Sequence, residues 1–203
     1  MSDESKPNEA VANAPLTEEQ LLAVTVGERT PLNNTIRLDE YDPTWPQHYE
    51  GEVAAIRDLL GDKMLPIEHV GSTSVPGLAA KPIIDILLVV ADSADEPAYI
   101  APLESAGYAL RIRETEWHQH RLLKGPHTNI NLHVFSSGCS EIERMLRFRD
   151  WLRSNESDRQ LYECTKRRLA AKTWQYTQNY ADAKAEVVEE VIARARAAHE
   201  SAS

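Results

Sequence analysis

Hydrophobic and polar positions follow short, distinct patterns along this chain, and the patterns predict strands at its centre. Two apolar runs, Met64–Val70 and 82–90, are rich in β-branched residues and flanked by Gly and Pro, which is typical of buried strands. Strict alternation of apolar and polar side chains at 130–135 predicts a third strand with one buried face. Similar but weaker patterns predict further strands at 35–38, 108–113 and 117–124.

Helical spacing dominates the rest of the chain. A capping-box pattern at 17–20 predicts a short first helix, because Thr17 and Gln20 can each satisfy a free backbone N–H group. Apolar residues recur every three or four positions in several later segments, which predicts amphipathic helices. These segments are 46–60, 96–106, 140–153, 158–174 and 182–198. The combined pattern predicts an α/β (α+β) fold with a mixed β-sheet core, flanking helices and a C-terminal helical segment.

The connection between the two central strands is rich in Gly, Ser, Thr and Pro. Gly71 permits a positive φ and a close approach of a ligand to the backbone, while Ser72, Thr73 and Ser74 offer hydroxyl and N–H groups. Residues 75–81 are long enough for about two helical turns, whose first N–H groups would favour a phosphate. An ordinary turn is the alternative interpretation of 71–74 taken alone.

One acid, Asp85, lies inside the second apolar run. A buried carboxylate is costly unless it is hydrogen-bonded, protonated or bound to a metal. Asp85 is therefore either an acceptor at a strand end or an oxygen ligand for Mg²⁺ or Mn²⁺ beside the phosphate cradle.

Histidines on the later strands are further candidates. His133 shares its strand face with Asn131, and it would approach Asp85 if the two strands were neighbours. His118 and His120 are two residues apart, so they would share one face of a strand at 117–124, where exposed histidines are the alternative to a metal pair.

Two cations complete the predicted site. Lys81 precedes Asp85 closely and is either a charge at a helix end or a phosphate ligand. Arg149 lies with Arg147 and Arg153 on a helix whose basic side is either a solvated face or a donor surface for phosphate.

Composition narrows the function classes. The 203 residues contain 42% hydrophobic side chains, enough for one sizeable core, and the net charge of −10 argues against broad nucleic-acid binding. Cys139 and Cys164 are too few for a disulfide framework. No apolar run approaches the roughly 20 residues of a membrane span, and residues 1–15 form a polar, disordered tail without a secretory pattern. We expect one domain at 16–199 in a cytoplasmic protein.

Several stretches together resemble the GrpB-like (UPF0157) family. The signature covers the segment 67–86, which reads IEHVGSTSVPGLAAKPIIDI, and the likeness extends over about 16–195. It continues at YDPTW (41–45), NLHVF (131–135), FRDWLR (148–153), Tyr162 and Lys166.

The resemblance implies a nucleotidyltransferase-like fold, in a family whose domain also occurs fused behind dephospho-CoA kinases. It would match Gly71-Ser72 to the Gly-Ser turn of that superfamily and Asp85 to its first catalytic acid. The second acid would stand at Leu87 and the third at His133, so the acid set is incomplete. Two-metal transfer needs carboxylates for both ions, whereas Asp85 and His133 can hold one.

Two functions are therefore open. The first is metal-assisted nucleotidyl transfer, with phosphates held at 71–74 and charge neutralised by Lys81 and Arg149. The second is a binding or regulatory module that holds a nucleotide or CoA-like phosphate without turnover. Glu68, His69 or His118 would favour the first if one of them lay close enough to Asp85 to replace the missing acid.

Overall fold

The computed structural model describes residues 17–29, 31–61 and 64–202, so the predicted tail at 1–15 lies outside the described residues. The strands are β1 (Met64–Val70), β2 (Ile84–Val90), β3 (Ala109–Glu114), β4 (His120–Lys124) and β5 (Ile130–Ser136). The helices are α1 (Glu18–Val24), α2 (Trp45–Leu60), α3 (Ile100–Ser105), α4 (Ser140–Ser154), α5 (Glu156–Ala170), α6 (Thr177–Asp182) and α7 (Ala185–Ala202).

The five strands form one mixed sheet in the order β1-β2-β5-β4-β3. The β2–β5 pair is parallel and places Asp85 opposite Asn131 and Leu87 opposite His133. The other three pairs are antiparallel, and β3, β4 and β5 form the expected meander. The predicted mixed α/β fold is confirmed.

Alternation along the strands gives the sheet two different faces. Ile84, Ile86 and Leu88 of β2 point into the main hydrophobic core, which helices α2 and α3 cover. On the opposite face, Leu87 and Val89 pack beneath α4 in a smaller cluster. Asp85 and His133 belong to this second face, Asp85 near the start of β2 and His133 midway along β5.

The C-terminal helices build the wall above that face. Helix α5 contacts α4, and α7 packs against both of them. The short helix α6, which the pattern of apolar residues does not reveal, places Tyr180 in a cluster with Ile36 and Leu169. None of the helices in the described ranges has both the length and the apolar character needed to cross a bilayer.

Three local predictions are wrong. Residues 75–81 form no helix, because Gly77 has φ +77° and the backbone of Ala80 pairs with that of Asp39. The segment 35–38 is not a strand, since only isolated bridges flank it, at Asn34 and Asp39.

The third error concerns the strand predicted at 117–124, which begins only at His120. His118 and Gln119 have φ values of 53° and 51°, in the left-handed region that ends an extended run. His118 therefore lies in a turn and does not share a strand face with His120.

Candidate functional site

A cleft of about 320 Å³ opens over the second face of the sheet, between the β1–β2 connection and helices α5 and α6. Its floor is formed by side chains of β2 and β5, and its rim by the turn after β1, the second half of α5 and the short helix α6. The lining includes Gly71, Ser72, Thr73, Lys81, Asp85, Asn131, His133, Lys166, Tyr180 and Lys184.

Gly71 makes this arrangement possible because its backbone lies directly against Asp85. Its φ of 69° and ψ of −174° lie in a region that glycine alone adopts readily. A Cβ atom at this position would lie 2.9 Å from both Cβ and Cγ of Asp85, and closer still to Oδ2. The 3₁₀ turn Ser72–Ser74 follows immediately, so the chain turns above the carboxylate.

Asp85 is held by polar neighbours on the sheet. Asn131 donates its side-chain amide to Asp85 Oδ1 at 2.7 Å, and Lys124 donates to Asn131 Oδ1 at 2.5 Å. His133 Nε2 lies 3.7 Å from the same Asp85 oxygen. Burial favours the protonated acid, but the contacts with His133, Asn131 and Lys124 outweigh it and lower the pKa of Asp85 below its ordinary value.

A second row of polar side chains continues from His133 across β4 to β3. His120 Nε2 lies 3.1 Å from His133 Nδ1, and His120 Nδ1 lies 2.6 Å from Glu114 Oε2. Burial lowers the pKa of His120 to about 4, although Glu114 opposes the shift. Burial thus favours the neutral imidazole of His120, whereas the neighbouring carboxylate favours the charged form.

Three lysines and one carboxylate line the cleft: Lys81, Lys166 and Lys184 against Asp85. Lys166, on α5, is only 2% exposed and reaches the β1–β2 connection, where it donates to Ser72 Oγ at 3.0 Å and to the carbonyl of Ala79. Burial, together with the charge of Lys184, lowers the pKa of Lys166 to about 7. The cleft is thus electropositive within a chain of net charge −10.

Lys81 lies across the cleft from α5, and burial and the neighbouring ammonium of Lys184 lower its pKa to about 8. Among the described residues, no carboxylate forms a salt bridge with Lys81, Lys166 or Lys184. The ammonium of Lys184 lies 4.6 Å from the ring centroid of Tyr180. Lys81 and Lys184 are therefore available to an anion.

Tyr180 adds a polar group without a partner. The side chain is 2% exposed, and its hydroxyl is buried with no hydrogen-bond partner in the described part of the chain. A buried hydroxyl without a partner is costly, so a water molecule or a ligand group in the cleft would stabilise it.

The predicted phosphate cradle is only partly present. Gly71, Ser72 and Thr73 line the cleft, but the Thr73 hydroxyl is used by the carbonyl of Ile83 and by His69 Nε2. Ser74 turns its hydroxyl back to the carbonyl of Gly71 and faces a different cavity. The turn therefore offers a ligand its backbone and the Ser72 hydroxyl.

The structure does not bring Arg149 into the cleft. Its guanidinium donates to Glu68, to Asp150 and to the carbonyl of His69, and it is not among the lining residues. Arg149 is thus part of a structural network that joins α4 to β1, because its donors are already satisfied by protein acceptors.

The three residues considered as replacements for the missing acid also lie elsewhere. Glu68 pairs with Arg149, His69 stacks on Tyr49 at 4.8 Å between ring centroids, and His118 lies in the turn before β4. Burial lowers the pKa of His69 to about 4. None of the three lines the cleft that contains Asp85.

The donor set fits one divalent cation better than two. In octahedral or tetrahedral coordination, two ligand atoms about 2.1 Å from one cation lie roughly 3 to 3.5 Å apart. The 3.7 Å between His133 Nε2 and Asp85 Oδ1 is close to that separation. Across the described ranges, no three His, Cys, Asp or Glu side chains group as a metal site, so the remaining ligands would be water or ligand oxygens.

Comparison with known proteins places the chain in a family. A family profile described as GrpB protein matches residues 35–194. The chain belongs to the GrpB family. A UPF0157 protein of Halalkalibacterium halodurans is 60% identical over 185 residues, covering 91% of this chain and 95% of that protein.

Other relatives extend this GrpB comparison. The crystal structure of the conserved protein GrpB from Enterococcus faecalis aligns with a TM-score of 0.65 and 33% identity, over 78% of this chain and 98% of that one. A dephospho-CoA kinase of Mycobacterium bovis is 30% identical over 174 residues, which cover 72% of this chain but only 42% of the kinase. The GrpB resemblance seen in the sequence is confirmed.

Several residues of this GrpB cleft were missed as site residues in the sequence. Lys184 and Tyr180 are separated from Asp85 by about a hundred positions, so no spacing rule connects them. Behind the cleft, in the polar row that continues from His133, the sequence suggested His120 only as a partner of His118, and it did not suggest Glu114. The sequence pointed to Lys166 in one way only, through its place in the resemblance to the GrpB-like family.

Proposed function

We propose that this GrpB-family chain binds a phosphorylated small molecule, of the nucleotide class, together with one divalent cation, Mg²⁺ or Mn²⁺. One observation carries the proposal: three lysines, none of which forms a salt bridge with a carboxylate of the described residues, converge on a cleft whose described lining contains one acid, Asp85. Ammonium groups whose pKa is lowered by burial gain most from a phosphate, because the anion offsets the cost of their desolvation.

Each lining residue has a defined task in this proposal. Lys81, Lys166 and Lys184 bind phosphate oxygens, and Ser72 orients the Lys166 ammonium. Asp85 and His133 hold the cation, which would supply positive charge beside the phosphates. The presence of an imidazole ligand favours Mn²⁺ over Mg²⁺.

The small number of acidic residues in the cleft favours ligand binding over a transfer reaction that needs two metal ions. Leu87 stands where a second metal-binding acid is expected, and His133 where a third is expected, so a two-metal transfer lacks its carboxylates. Nucleotidyl transfer supported by a single cation is the more demanding version of the same proposal. It requires everything that binding requires, together with a site for an acceptor.

The kinase relative suggests one ligand for early testing. A dephospho-CoA kinase contains a segment similar to most of this chain, and dephospho-CoA is a nucleotide-class molecule with phosphates. A CoA-precursor-binding module is therefore the second candidate function, and it uses the same cleft.

The test is a thermal-shift panel with ATP, dephospho-CoA, inorganic triphosphate and adenosine, each with Mn²⁺ or with chelator. A ligand at 100 times its Kd adds about 2.7 kcal/mol of stability, or roughly 5 to 10 °C for a domain of this size. We expect phosphate-bearing compounds to give this shift and adenosine to give none.

Matched variants assign any shift to the cleft. Lys81→Gln and Lys184→Gln should remove most of it, whereas Lys172→Gln removes the same charge from an exposed position and should retain it. Asp85→Asn should remove only the part that depends on Mn²⁺. Equal losses in all three lysine variants, or no shift with any phosphate compound, would contradict the proposal.

A further inference from the structure

A second cavity, of about 600 Å³, is separated from the cleft by the β1–β2 connection. It opens between the start of α2, the end of β1 and the junction of α4 with α5. The two cavities share no residue of their described linings, because residues 71–73 face the cleft whereas Ser74 and Pro76 face the second cavity. Its volume lies within the range of small-molecule sites, about 300–1,000 Å³.

One wall of the second cavity is basic. Arg153, in the last turn of α4, donates from Nε and Nη2 to the carbonyl of Ser74, at 3.0 and 2.9 Å. Arg159 of α5 donates from Nη1 to the carbonyls of Leu152 and Arg153, at 3.2 and 3.4 Å. Each guanidinium is thus attached to the backbone, so little side-chain freedom remains to be lost when a ligand binds.

The arginines of this wall keep unused N–H donors. Within the described ranges, Nε and Nη2 of Arg159 have no hydrogen-bond acceptor, and no carboxylate forms a salt bridge with Arg159. Arg153 approaches a carboxylate only at 3.4 Å, between its Nη1 and Asp150 Oδ1. Guanidinium groups with free donors bind carboxylate and phosphate oxygens strongly, often through two parallel hydrogen bonds. The basic wall therefore suits an anionic group.

The start of α2 contributes a wall of rings, where Tyr41, Pro46 and Tyr49 line the cavity. Tyr41 meets the ring of Trp45 edge-on, with 5.4 Å between the ring centroids. Tyr49 stacks on His69 at 4.8 Å. Rings held by such contacts present a rigid apolar surface, against which another flat ring packs well.

The charges of the lining give the cavity a direction. Glu50, an exposed residue of α2, is the one carboxylate in the described lining. A carboxylate repels an anion, so the charges favour a ligand whose anionic group lies at the arginines of α4 and α5. The uncharged part of the ligand then lies at the rings of α2.

We propose that the second cavity binds a small anion that carries a flat ring, either an aromatic phosphate or an aromatic carboxylate. Arg153 and Arg159 bind the anionic oxygens, and the ring of the ligand packs on Tyr41 and Pro46. The site does not depend on the nucleotide cleft proposed above, because the two share no lining residue.

Phenyl phosphate and phenylacetate are the probes for the two kinds of anion. Inorganic phosphate, acetate and benzyl alcohol represent the separate parts of these probes. Titrations of the ¹⁵N-labelled chain should shift the Nε–Hε signal of Arg159, and nuclear Overhauser effects should join the ring protons of the probe to those of Tyr41. We expect one aromatic anion to bind about tenfold more tightly than its anionic part alone.

Two results of these titrations would overturn the proposal. The first is that neither aromatic anion binds more tightly than inorganic phosphate or acetate. The second is that the shifts appear at the cleft lysines while the Arg159 signal stays unchanged. The relative affinities of phenyl phosphate and phenylacetate identify which anionic group the site prefers.

Variants of Arg159 test the basic wall. Arg159→Gln should raise the Kd of the tighter aromatic anion about 10- to 100-fold. Arg159→Lys retains the charge but not the planar fork, so the Kd should rise in this variant also. Arg168→Gln removes the same charge from an exposed position of the same helix and should keep the Kd within about twofold of the wild-type value. Equal losses in Arg159→Gln and Arg168→Gln would indicate general charge attraction and overturn the site.

Tyr41→Leu tests the wall of rings, and it decides the proposal if Arg159→Gln fails to fold. This variant keeps an apolar side chain but removes the ring, so it should weaken the aromatic anion and leave the affinity for its anionic part unchanged. Unchanged binding of the aromatic anion would contradict the proposed packing. Lys184→Gln should retain this binding, so a failure of the nucleotide cleft and a failure of the second cavity are distinguishable.

Discussion

The contact between Gly71 and Asp85 gives the sharpest stability prediction. Gly71→Ala places a methyl group against the Asp85 carboxylate and also forces alanine into a backbone region that favours glycine. The backbone strain costs about 1–3 kcal/mol. Displacing Asp85 breaks its hydrogen bond with Asn131, which for a charged group contributes roughly 1.5–3 kcal/mol.

Gly77→Ala is the matched control for this change. Gly77 has a φ of 77°, close to the 69° of Gly71, but a Cβ there would meet nothing within 4 Å. The control should therefore cost only the backbone strain, about 1–3 kcal/mol. The difference between the two variants isolates the contact with Asp85, and we expect it to be at least about 2 kcal/mol.

Urea unfolding and scanning calorimetry measure both variants. A difference of 2 kcal/mol corresponds to roughly 4–8 °C in Tm for a chain of this length, with similar urea m-values if the unfolded state is unchanged. In an Asp85→Ala background, Gly71→Ala should cost at least about 1 kcal/mol less, because the carboxylate is gone. Equal unfolding free energies for Gly71→Ala and Gly77→Ala would refute this account of the turn.

Two further predictions concern the charged groups around the sheet. Because the folded-state pKa of Lys166 is about 7, below its ordinary 10.5, the unfolded chain binds more protons between these values, and the Lys166 contribution to stability rises with pH. The difference in urea-unfolding free energy between the wild type and Lys166→Met should therefore increase between pH 7 and 9, by on the order of 1 kcal/mol per pH unit. A difference that stays constant with pH would contradict the lowered pKa. Arg149→Met should destabilise the protein by about 1–3 kcal/mol, because its contacts with Glu68 and the carbonyl of His69 are lost. The ATP-induced thermal shifts should stay unchanged, and their loss would show that Arg149 takes part in ligand binding.

The sequence alone was sufficient to predict the central strands and which of their side chains share a face. Alternation at 130–135 predicted that Asn131 and His133 share a face, and the apolar run around Asp85 marked β2. These patterns are local consequences of a strand that is buried on at least one side. The proximity of Asp85 to His133 needed one further fact, the parallel pairing of β2 with β5, which the local pattern does not determine.

The failures have a common physical cause. Residues 75–81 have the length of a helix, but a turn at Gly77 and the pairing of Ala80 with Asp39 replace it, and the Asp39 contact comes from a distant part of the chain. Arg149 has the chemistry of a phosphate ligand, but Glu68 and Asp150 use its donors. Tertiary contacts of this kind override local propensity, and they also assemble the lysines of the cleft.

The parallel register of β2 and β5 has a consequence for how this cleft can change. Side chains on a strand alternate between faces, so a slip of one residue would exchange Asp85 with Ile84 or Ile86 and bury the carboxylate in the main core. The packing of apolar side chains in the main core therefore fixes the register of the two strands, and with it the positions of Asp85 and His133 on the opposite face. An insertion or deletion within either strand would erase the site and the core together, whereas the loops and helices above it can vary without moving Asp85 relative to His133.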